Sequence, residues 1–477
     1  MKPTFSKTKI IATIGPACSD KAMLKNLILS GVDVFRLNFS HGTHQQHEIN
    51  IDLIIELNKE LKTEVAILAD LQGPKLRIGE VQNNSVLLEE GKEFKIITTP
   101  CIGDATVVYM TYPQFPIDVK EGELILIDDG KIRLQVISTN KKDTVVTKII
   151  NGGYLSSKKG VNLPNTDVSL PCLTEKDKAD LKFALSKNVE WIGLSFVRKA
   201  TDIIELKEII KGEKSHAFII AKIEKPEALK EIDNIIDLSD GIMIARGDLG
   251  VEISFEKVPL IQKEIVKKCL TYAKPVIIAT QMLESMISAF RPTRAEATDV
   301  ANAVLDGADA VMLSGETSVG KFPLESVQAM QSIVQFTEHN GYEYFRYHET
   351  KDKDRTFLSD NICVTACKLA QQSCAKAIVV FSHSGYTAYQ IASYRPKTNI
   401  YVFTNNSNLI PKLSLLWGVQ LFYAPTFSNI DEAIDKATEI LISNDLLTND
   451  DVVLYVGSTP LKARGRTNMI KLSKLKI

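Results

Sequence analysis

The chain has 477 residues, 44% of them apolar and 24% charged, with 57 Lys and Arg against 58 Asp and Glu for a net charge of −1. That length allows about three domains with sizeable cores, and the charge balance excludes a nucleic-acid binder, which needs a surplus of Lys and Arg. No apolar run reaches the ~20 residues that span a bilayer, and the start MKPTFSKTKI lacks the apolar stretch of a secretory signal.

Taken in chain order, short β-branched apolar runs alternate with helix-like segments. Strands are predicted at KIIATI (9–14), VDVFRL (32–37) and VAILAD (65–70), then at WIGLSF (191–196), AFIIAKI (217–223), GIMIAR (241–246), PVIIAT (275–280) and ADAVML (308–313). Eight buried strands with helical crossovers predict an α/β fold, a (β/α)₈ TIM barrel formed by residues 1–73 and 172–344. From 74 to 171 the pattern changes to short alternating strands. LILIDDGKIRLQVI (124–137) reads as a hairpin with Asp129-Gly130 in a two-residue turn. An all-β insertion after the third barrel strand sits beside the face where barrel active sites form, which suggests a lid. Residues 345–477 return to α/β alternation, with strands at 377–381, 399–403, 419–424 and 451–457, and read as a separate carboxyl-terminal domain. Seven scattered cysteines without metal-type spacing fit reduced thiols and a cytoplasmic protein. Cys363, Cys367 and Cys374, though close in sequence, are expected to be free buried thiols.

Polar groups gather where the apolar strands end. Arg36 and Asn38 close the second strand, Asp70 the third, Ser195 the fourth, Lys222 and Glu224 the fifth, Arg246 and Asp248 the sixth, and Thr280 the seventh. A lone charge at a strand end is ordinarily a solvated cap; six consecutive strand ends point to a barrel rim. Glu224 and Asp248, on adjacent strands, can share one hard cation such as Mg²⁺ or Mn²⁺, or else be salt-bridged to Lys222 and Arg246. Lys222 and Glu224 lie two apart and face one side of an extended strand. An ammonium beside a metal carboxylate suits a migrating phosphoryl group, and Arg36 adds a fork for phosphate oxygens. ARGDLGVE (245–252) offers backbone N–H groups for a carboxylate, or is an ordinary Gly-rich turn. GETSVGK (315–321) falls short of a P-loop because Phe322 occupies the Ser/Thr position. The histidines of HGTHQQH (41–47), three residues apart, drift off one helix face and make a poor metal cluster; His41 fits better near a nucleotide.

VFRLNFSHG (34–42), LADLQGPKLRIG (68–79), KKGVNLP (158–164), LSFVRK (194–199), AKIEKPE (221–227), MIARGDLGVE (243–252), ATQMLESM (279–286), RPTRAEATDVANAVLDGADAVMLSGET (291–317) and GRTNMI (465–470) together resemble the motifs of the pyruvate kinase family, in the family's order and over essentially the whole chain. The resemblance implies transfer of the phosphoryl group of phosphoenolpyruvate to ADP, giving pyruvate and ATP, the last step of glycolysis. It implies Mg²⁺ on Glu224 and Asp248, Lys222 and Arg36 on the phosphoryl group, and the substrate carboxylate held by the backbone at Gly247 and Asp248 with the Thr280 hydroxyl. Arg77 and Lys159 would face the nucleotide phosphates. The enolate left after transfer would be protonated near Thr280, through water or a relay of Ser314 and Glu316. Many family members hold K⁺ with groups matching Asn38, Ser40 and Asp70 plus a Thr where this chain has Leu71, and carry Glu where it has Lys75. A tethered ammonium can replace a monovalent cation electrostatically, so activity without K⁺ is expected; the alternative is that Lys75 pairs with a nearby acid and K⁺ still binds. FSHSGYTAYQ (381–390) resembles the family's effector loop, with Ser382, Ser384, Gly385 and Thr387 as phosphate ligands and Lys462, Arg464 and Arg466 nearby, or is a capped turn without a ligand. A homotetramer with allosteric control is the family's usual form. The rival expectations are another Mg²⁺-enolate barrel, such as a lyase, and a catalytically silent metabolite sensor.

Overall fold

The computed structural model describes residues 4–349, 356–424, 427, 429–460 and 466–476. Eight parallel strands close a barrel: β1 (Lys9–Thr13), β2 (Val34–Asn38), β3 (Ala66–Asp70), β4 (Trp191–Leu194), β5 (Phe218–Ile223), β6 (Gly241–Ala245), β7 (Val276–Ala279) and β8 (Ala310–Leu313), each paired with its neighbours in sequence and β1 with β8. Nearly every strand residue is buried because helices cover the outside and side chains fill the inside, which is why the runs read as continuously apolar.

The inner layer is made by Ile11, Val34, Leu68, Trp191, Ile220, Met243, Ile277 and Ala310. Strand alternation then selects the next inward-facing positions. Two residues beyond Val34, Leu68 and Ile220 come Arg36, Asp70 and Lys222, so the same period that fills the barrel aims these three into its carboxyl-terminal mouth.

Residues between β3 and β4 form the inserted unit. A six-stranded sheet runs in the order Val161–Asn162, Leu124–Ile127, Ile132–Thr139, Thr144–Asn151, Glu93–Ile97 and Val107–Tyr109, beside a two-stranded pair, over its own core around Phe94, Tyr112 and Phe115. The 124–137 hairpin is present, but its loop spans the four residues from Asp128 to Lys131, since Ile127 pairs with Ile132. Asp128 and Asp129 both take the left-handed conformation, at φ 54° and 55°, with Gly130 at 83°. Short polar side chains tolerate that region, so a longer turn than the Asp-Gly dipeptide suggests is accommodated. The insertion's return to the barrel is tied by Arg198, whose guanidinium donates to the Val168 and Leu170 carbonyls.

The carboxyl-terminal sheet has the order Val419–Tyr423, Asn399–Thr404, Ala377–Phe381, Val452–Gly457 and Met469–Lys474, the last strand antiparallel. That edge strand has no strong apolar run and escapes sequence reading. Leu415 joins the barrel's inner layer from below. Buried Arg395 pairs with Asp309 at 2.7 Å, and Asp309 also accepts from the Trp417 and Val276 N–H groups. The domain is thereby bolted to the barrel floor. Cys363 and Cys367 are buried as expected, whereas Cys374 is exposed because it follows the end of helix Phe357–Gln372.

Candidate active site

At the barrel mouth four charged side chains form one continuous chain. Arg36 reaches Asp70 Oδ2 through Nε at 2.7 Å and through its terminal nitrogen at 2.6 Å, and also donates to Thr13 Oγ1 at 3.1 Å. Lys222 Nζ sits 3.0 Å from Asp70 Oδ1, 3.0 Å from Glu224 Oε1, and donates to Ser195 Oγ at 2.7 Å. Asp70 is therefore shared between the two cations and orients both. Burial alone would raise its pKa, but Lys222 and Arg36 outweigh that and hold the carboxyl below its ordinary value. Burial likewise pulls the Lys222 ammonium down, and Asp70 and Glu224 reverse it, leaving the group above its ordinary value. Lys222 is thus a fixed charge and a poor proton source near neutrality.

Glu224 is 1% exposed. Its second oxygen accepts from the Phe196 N–H at 2.7 Å. Burial and the nearby Asp248 raise its pKa against the pull of Lys222. Asp248 lies in the first turn of helix Arg246–Glu252 and makes no hydrogen bond or ion pair within the protein among the described residues. Two repelling carboxylates, one buried and one unpartnered, form a donor set that a divalent cation would relieve. Among the described residues no cluster of three or more His, Cys, Asp or Glu suited to a metal is found. A two-carboxylate set matches Mg²⁺, which keeps waters and takes substrate oxygens, better than a closed all-protein cage.

Thr280 carries strain. Its φ is 70° and that of Gln281 is 55°, a conformation that a β-branched residue avoids at roughly 1–3 kcal/mol. Arg246 holds the turn, donating to the Thr280 carbonyl at 2.8 Å and the Gln281 carbonyl at 3.3 Å, and is itself anchored by Asp299 at 2.7 Å. Arg246 accordingly turns away from Glu224 and Asp248, and the salt-bridged alternative for Asp248 fails on that side. The strained turn sets the Thr280 hydroxyl 2.7 Å from the Gly247 N–H, which donates to it. The structure thus brings Gly247 and Thr280 together, with Gly247 in the first turn of the short helix Arg246–Glu252.

The other expected residues are placed less centrally. Asn38 faces Asp70 in register and accepts from the Ser40 N–H at 3.1 Å. Lys75 is exposed on the segment after β3, lining a cleft with Asp248, Asn162 and Lys225, and no hydrogen bond or ion pair links its side chain to Asn38, Ser40 or Asp70. Arg77 donates to the Lys158 carbonyl at 3.0 Å, and Lys159 pairs with Asp128 at 2.8 Å, both within the insertion. His41 is exposed; its carbonyl accepts from His47, which stacks on Phe39. Thr43 and Gln46 form a capping box for helix His44–Leu61, which accounts for the HGTHQQH pattern. The GETSVGK segment is packed, with Glu316 buried and accepting from the Leu283 and Ser314 N–H groups. Ser382 Oγ accepts from the Gly385 N–H at 2.9 Å, the Ser384 hydroxyl accepts from the Tyr386 N–H at 3.4 Å, and Thr387 meets Thr467 at 2.6 Å. Arg466 is exposed, and Lys462 and Arg464 lie outside the described residues. Missed from sequence were Thr13 and Asp299; Arg198, four residues past the end of β4, lies within a motif that carries the family resemblance but had no role assigned to it.

Two family models match the chain, "Pyruvate kinase, barrel domain" over residues 5–327 and "Pyruvate kinase, alpha/beta domain" over residues 360–473. A pyruvate kinase of Geobacillus stearothermophilus is 42% identical over 98% of this chain and 80% of its own length. One of Corynebacterium efficiens is 42% identical over 98% of both chains. A crystal structure of a pyruvate kinase from Cryptosporidium parvum superposes with a TM-score of 0.90 at 35% identity, covering 98% of this chain and 96% of that one.

Proposed function

Because the chain belongs to the pyruvate kinase family and is a pyruvate kinase enzyme of glycolysis, we propose that the Arg36–Asp70–Lys222–Glu224 chain beside Asp248 is where the phosphoryl group passes from phosphoenolpyruvate to ADP. The observation that carries this reading is the single Lys222 ammonium held within 3.0 Å of both Asp70 and Glu224. Arg36, with one edge fixed on Asp70, orients the substrate phosphate. Lys222 neutralises charge on the phosphoryl oxygens as the bond to the enol oxygen breaks and a bond to the terminal ADP oxygen forms. Glu224 and Asp248 would hold Mg²⁺, or Mn²⁺, which supplies further charge neutralisation to those oxygens when bound. Gly247, Asp248 and Thr280 hold the substrate carboxylate, and Arg77, Lys159 and His41 the nucleotide.

The enolate that remains takes a proton at its terminal carbon. Lys222 is unsuited as donor, since its neighbours hold its proton firmly. The Thr280 hydroxyl, which donates to the Ala279 carbonyl at 2.6 Å, with a relay of Ser314 and Glu316 behind it, is the better source; Ser314 Oγ is buried and has no hydrogen-bond partner among the described residues. Formation of pyruvate that requires both phosphoenolpyruvate and ADP tests the whole reading, and its absence would leave the lyase or the sensor.

The monovalent-cation part of the proposal rests on Lys75 and Leu71. An exposed ammonium with no ion pair among the described residues, at the edge of the cleft, together with a buried Leu71 where an oxygen ligand is otherwise found, supports catalysis without K⁺. Rates in KCl and in tetramethylammonium chloride should agree within about twofold, because the tethered charge replaces the ion; a rate near zero without K⁺ would refute it. Ser382, Ser384, Gly385 and Thr387 are proposed to take an effector phosphate, in a cytoplasmic homotetramer. Among the described residues no helix is long and apolar enough to cross a membrane.

A further inference from the structure

The guanidinium of Arg36 carries its N–H donors in a rigid planar fork, and the partners they find inside the protein decide which remain for a ligand. Nε donates to Asp70 Oδ2 at 2.7 Å, and Nη2 lies 2.6 Å from that same oxygen. The other oxygen of Asp70 is taken by Lys222 at 3.0 Å. Two contacts on a single oxygen act as a pivot, about which a planar group can rock, so a third contact is needed to fix the plane. Nη1 makes it, donating to Thr13 Oγ1 at 3.1 Å. One N–H on Nη1 and one on Nη2 are then left without an acceptor among the described residues. A pair of donors on the two terminal nitrogens suits two oxygens of one phosphate.

Thr13 is placed to act as an acceptor and nothing else. It ends β1 two residues beyond Ile11 of the inner layer and pairs in register with Arg36 on β2, so the alternation that aims Arg36 into the mouth aims Thr13 there too. Its hydroxyl proton goes to the Leu313 carbonyl at 2.8 Å, which leaves only lone pairs to face Nη1. Branching at Cβ restricts the side chain to few rotamers. Its backbone carbonyl accepts from the Thr317 hydroxyl at 2.8 Å. Thr13 is 2% exposed and Thr317 is fully buried, so water does not compete for these bonds. The plane of the guanidinium is thereby referred to the end of β8, which cannot shift with Asp70.

We propose that Thr13 is a positioning residue for phosphoenolpyruvate: by fixing the plane of the Arg36 guanidinium it aims the two remaining N–H groups at the substrate phosphate. The inference rests on the reading that Arg36 takes that phosphate. Thr13 acts through Arg36 alone, so it governs ligands that carry the phosphate and leaves those that lack it unaffected.

Thr13→Val keeps the shape of the side chain and removes the acceptor. Calorimetric titration of the full chain in Mg²⁺, with phosphoenolpyruvate and with oxalate (a planar dianion shaped like the enolate but without a phosphate), is read beside steady-state rates. Thr13→Val should bind phosphoenolpyruvate about tenfold more weakly, as for a lost hydrogen bond to a charged group, and its KM for that substrate should rise in step. Oxalate affinity and KM for ADP should stay within about twofold of the parent's. Thr13→Ser, which restores the acceptor, should recover most of the loss. Thr13→Ala lacks the same acceptor and takes the place of the Val chain if that chain does not fold. With an active parent, unchanged phosphoenolpyruvate affinity in the folded Val or Ala chain, equal weakening of phosphoenolpyruvate and oxalate, or no recovery in Thr13→Ser would each overturn this proposal alone. A parent that forms no pyruvate would overturn the reading of the site and this proposal with it.

Discussion

Replacing Lys222 with Met removes the one cation that joins Asp70 to Glu224 while keeping a side chain of similar length. In the parent, its ammonium makes contacts of 2.7, 3.0 and 3.0 Å and is almost fully buried. Loss of one preorganised neutral donor from a transition state lowers kcat by roughly 10²–10³, and charge-assisted contacts are about twice as strong as neutral ones. A fall of about 10³ or more in kcat is therefore expected, corresponding to ~4 kcal/mol at 1.36 kcal/mol per factor of ten. The substitution also exposes the acids to each other: Asp70 keeps Arg36, but Glu224 loses its nearest cation. Because the Lys222 pKa is raised on folding, its stabilisation is fully present below the unfolded value of about 10.4 and fades only as pH rises through the folded value. At pH 7.5 the parent therefore has the whole contribution and the Met variant none of it; breaking a buried pair costs roughly 3–5 kcal/mol, partly offset by burial of the Met side chain. The assay is pyruvate release at saturating phosphoenolpyruvate, ADP and Mg²⁺, with urea denaturation in parallel. Lys222→Gln, which retains a donor, should fall between the two. Activity within about tenfold of the parent in a folded Met variant would sink the mechanism, since a charge placed this way cannot then be acting on the reacting group.

Arg246→Ala should lower stability by roughly 2–3 kcal/mol and raise KM for phosphoenolpyruvate, because the Thr280–Gln281 turn loses its clamp; an unchanged KM would show that the turn holds itself. Asn162→Ala removes the 2.8 Å bond from the insertion to Glu252, which also pairs with Lys225. At about 1 kcal/mol for that bond, the open state should become roughly fivefold more populated, seen as faster proteolysis of the insertion and a higher KM for ADP, with no change in either refuting a latch. Burial of Glu190 at the barrel floor pushes its carboxyl up to about 7, against hydrogen bonding from Ile67 and the attraction of Lys412. A raised carboxyl leaves stability intact below its unfolded value of about 4.3 and withdraws it as pH rises toward 7. Glu190→Gln should therefore match the parent's Tm at pH 4.5 and exceed it at pH 8, reflecting ~1–2 kcal/mol of added stability there once partial exposure is allowed for; equal Tm values at both pH values would show the carboxyl titrates normally.

Much of the charged cluster at the barrel mouth was legible in advance because a strand's period is short and rigid. Lys222 and Glu224 share a face at a spacing of two whatever the fold around them, and apolar runs buried on both sides announce a parallel barrel. Partner choice was not legible. Arg246 ends β6 as Lys222 nearly ends β5, yet its long side chain is captured by Asp299 on helix Arg294–Asp306 and by carbonyls of the next turn. The hairpin loop was shortened by a dipeptide rule that ignores how readily Asp128 takes a positive φ. The Met469–Lys474 strand pairs through its backbone at a sheet edge, so its side chains had no burial to advertise.

The sequence by itself determined the barrel, the insertion, the carboxyl-terminal α/β unit and the inward set of Arg36, Asp70, Lys222 and Glu224, since each follows from local periodicity and the burial it demands. Tertiary structure alone decided that Asp70 bridges two cations, that Thr280 is held in a strained turn, and that Lys412 meets Phe218 from nearly two hundred residues away. Those are contacts between separate elements, and their energies depend on distance and desolvation, which no spacing along the chain encodes.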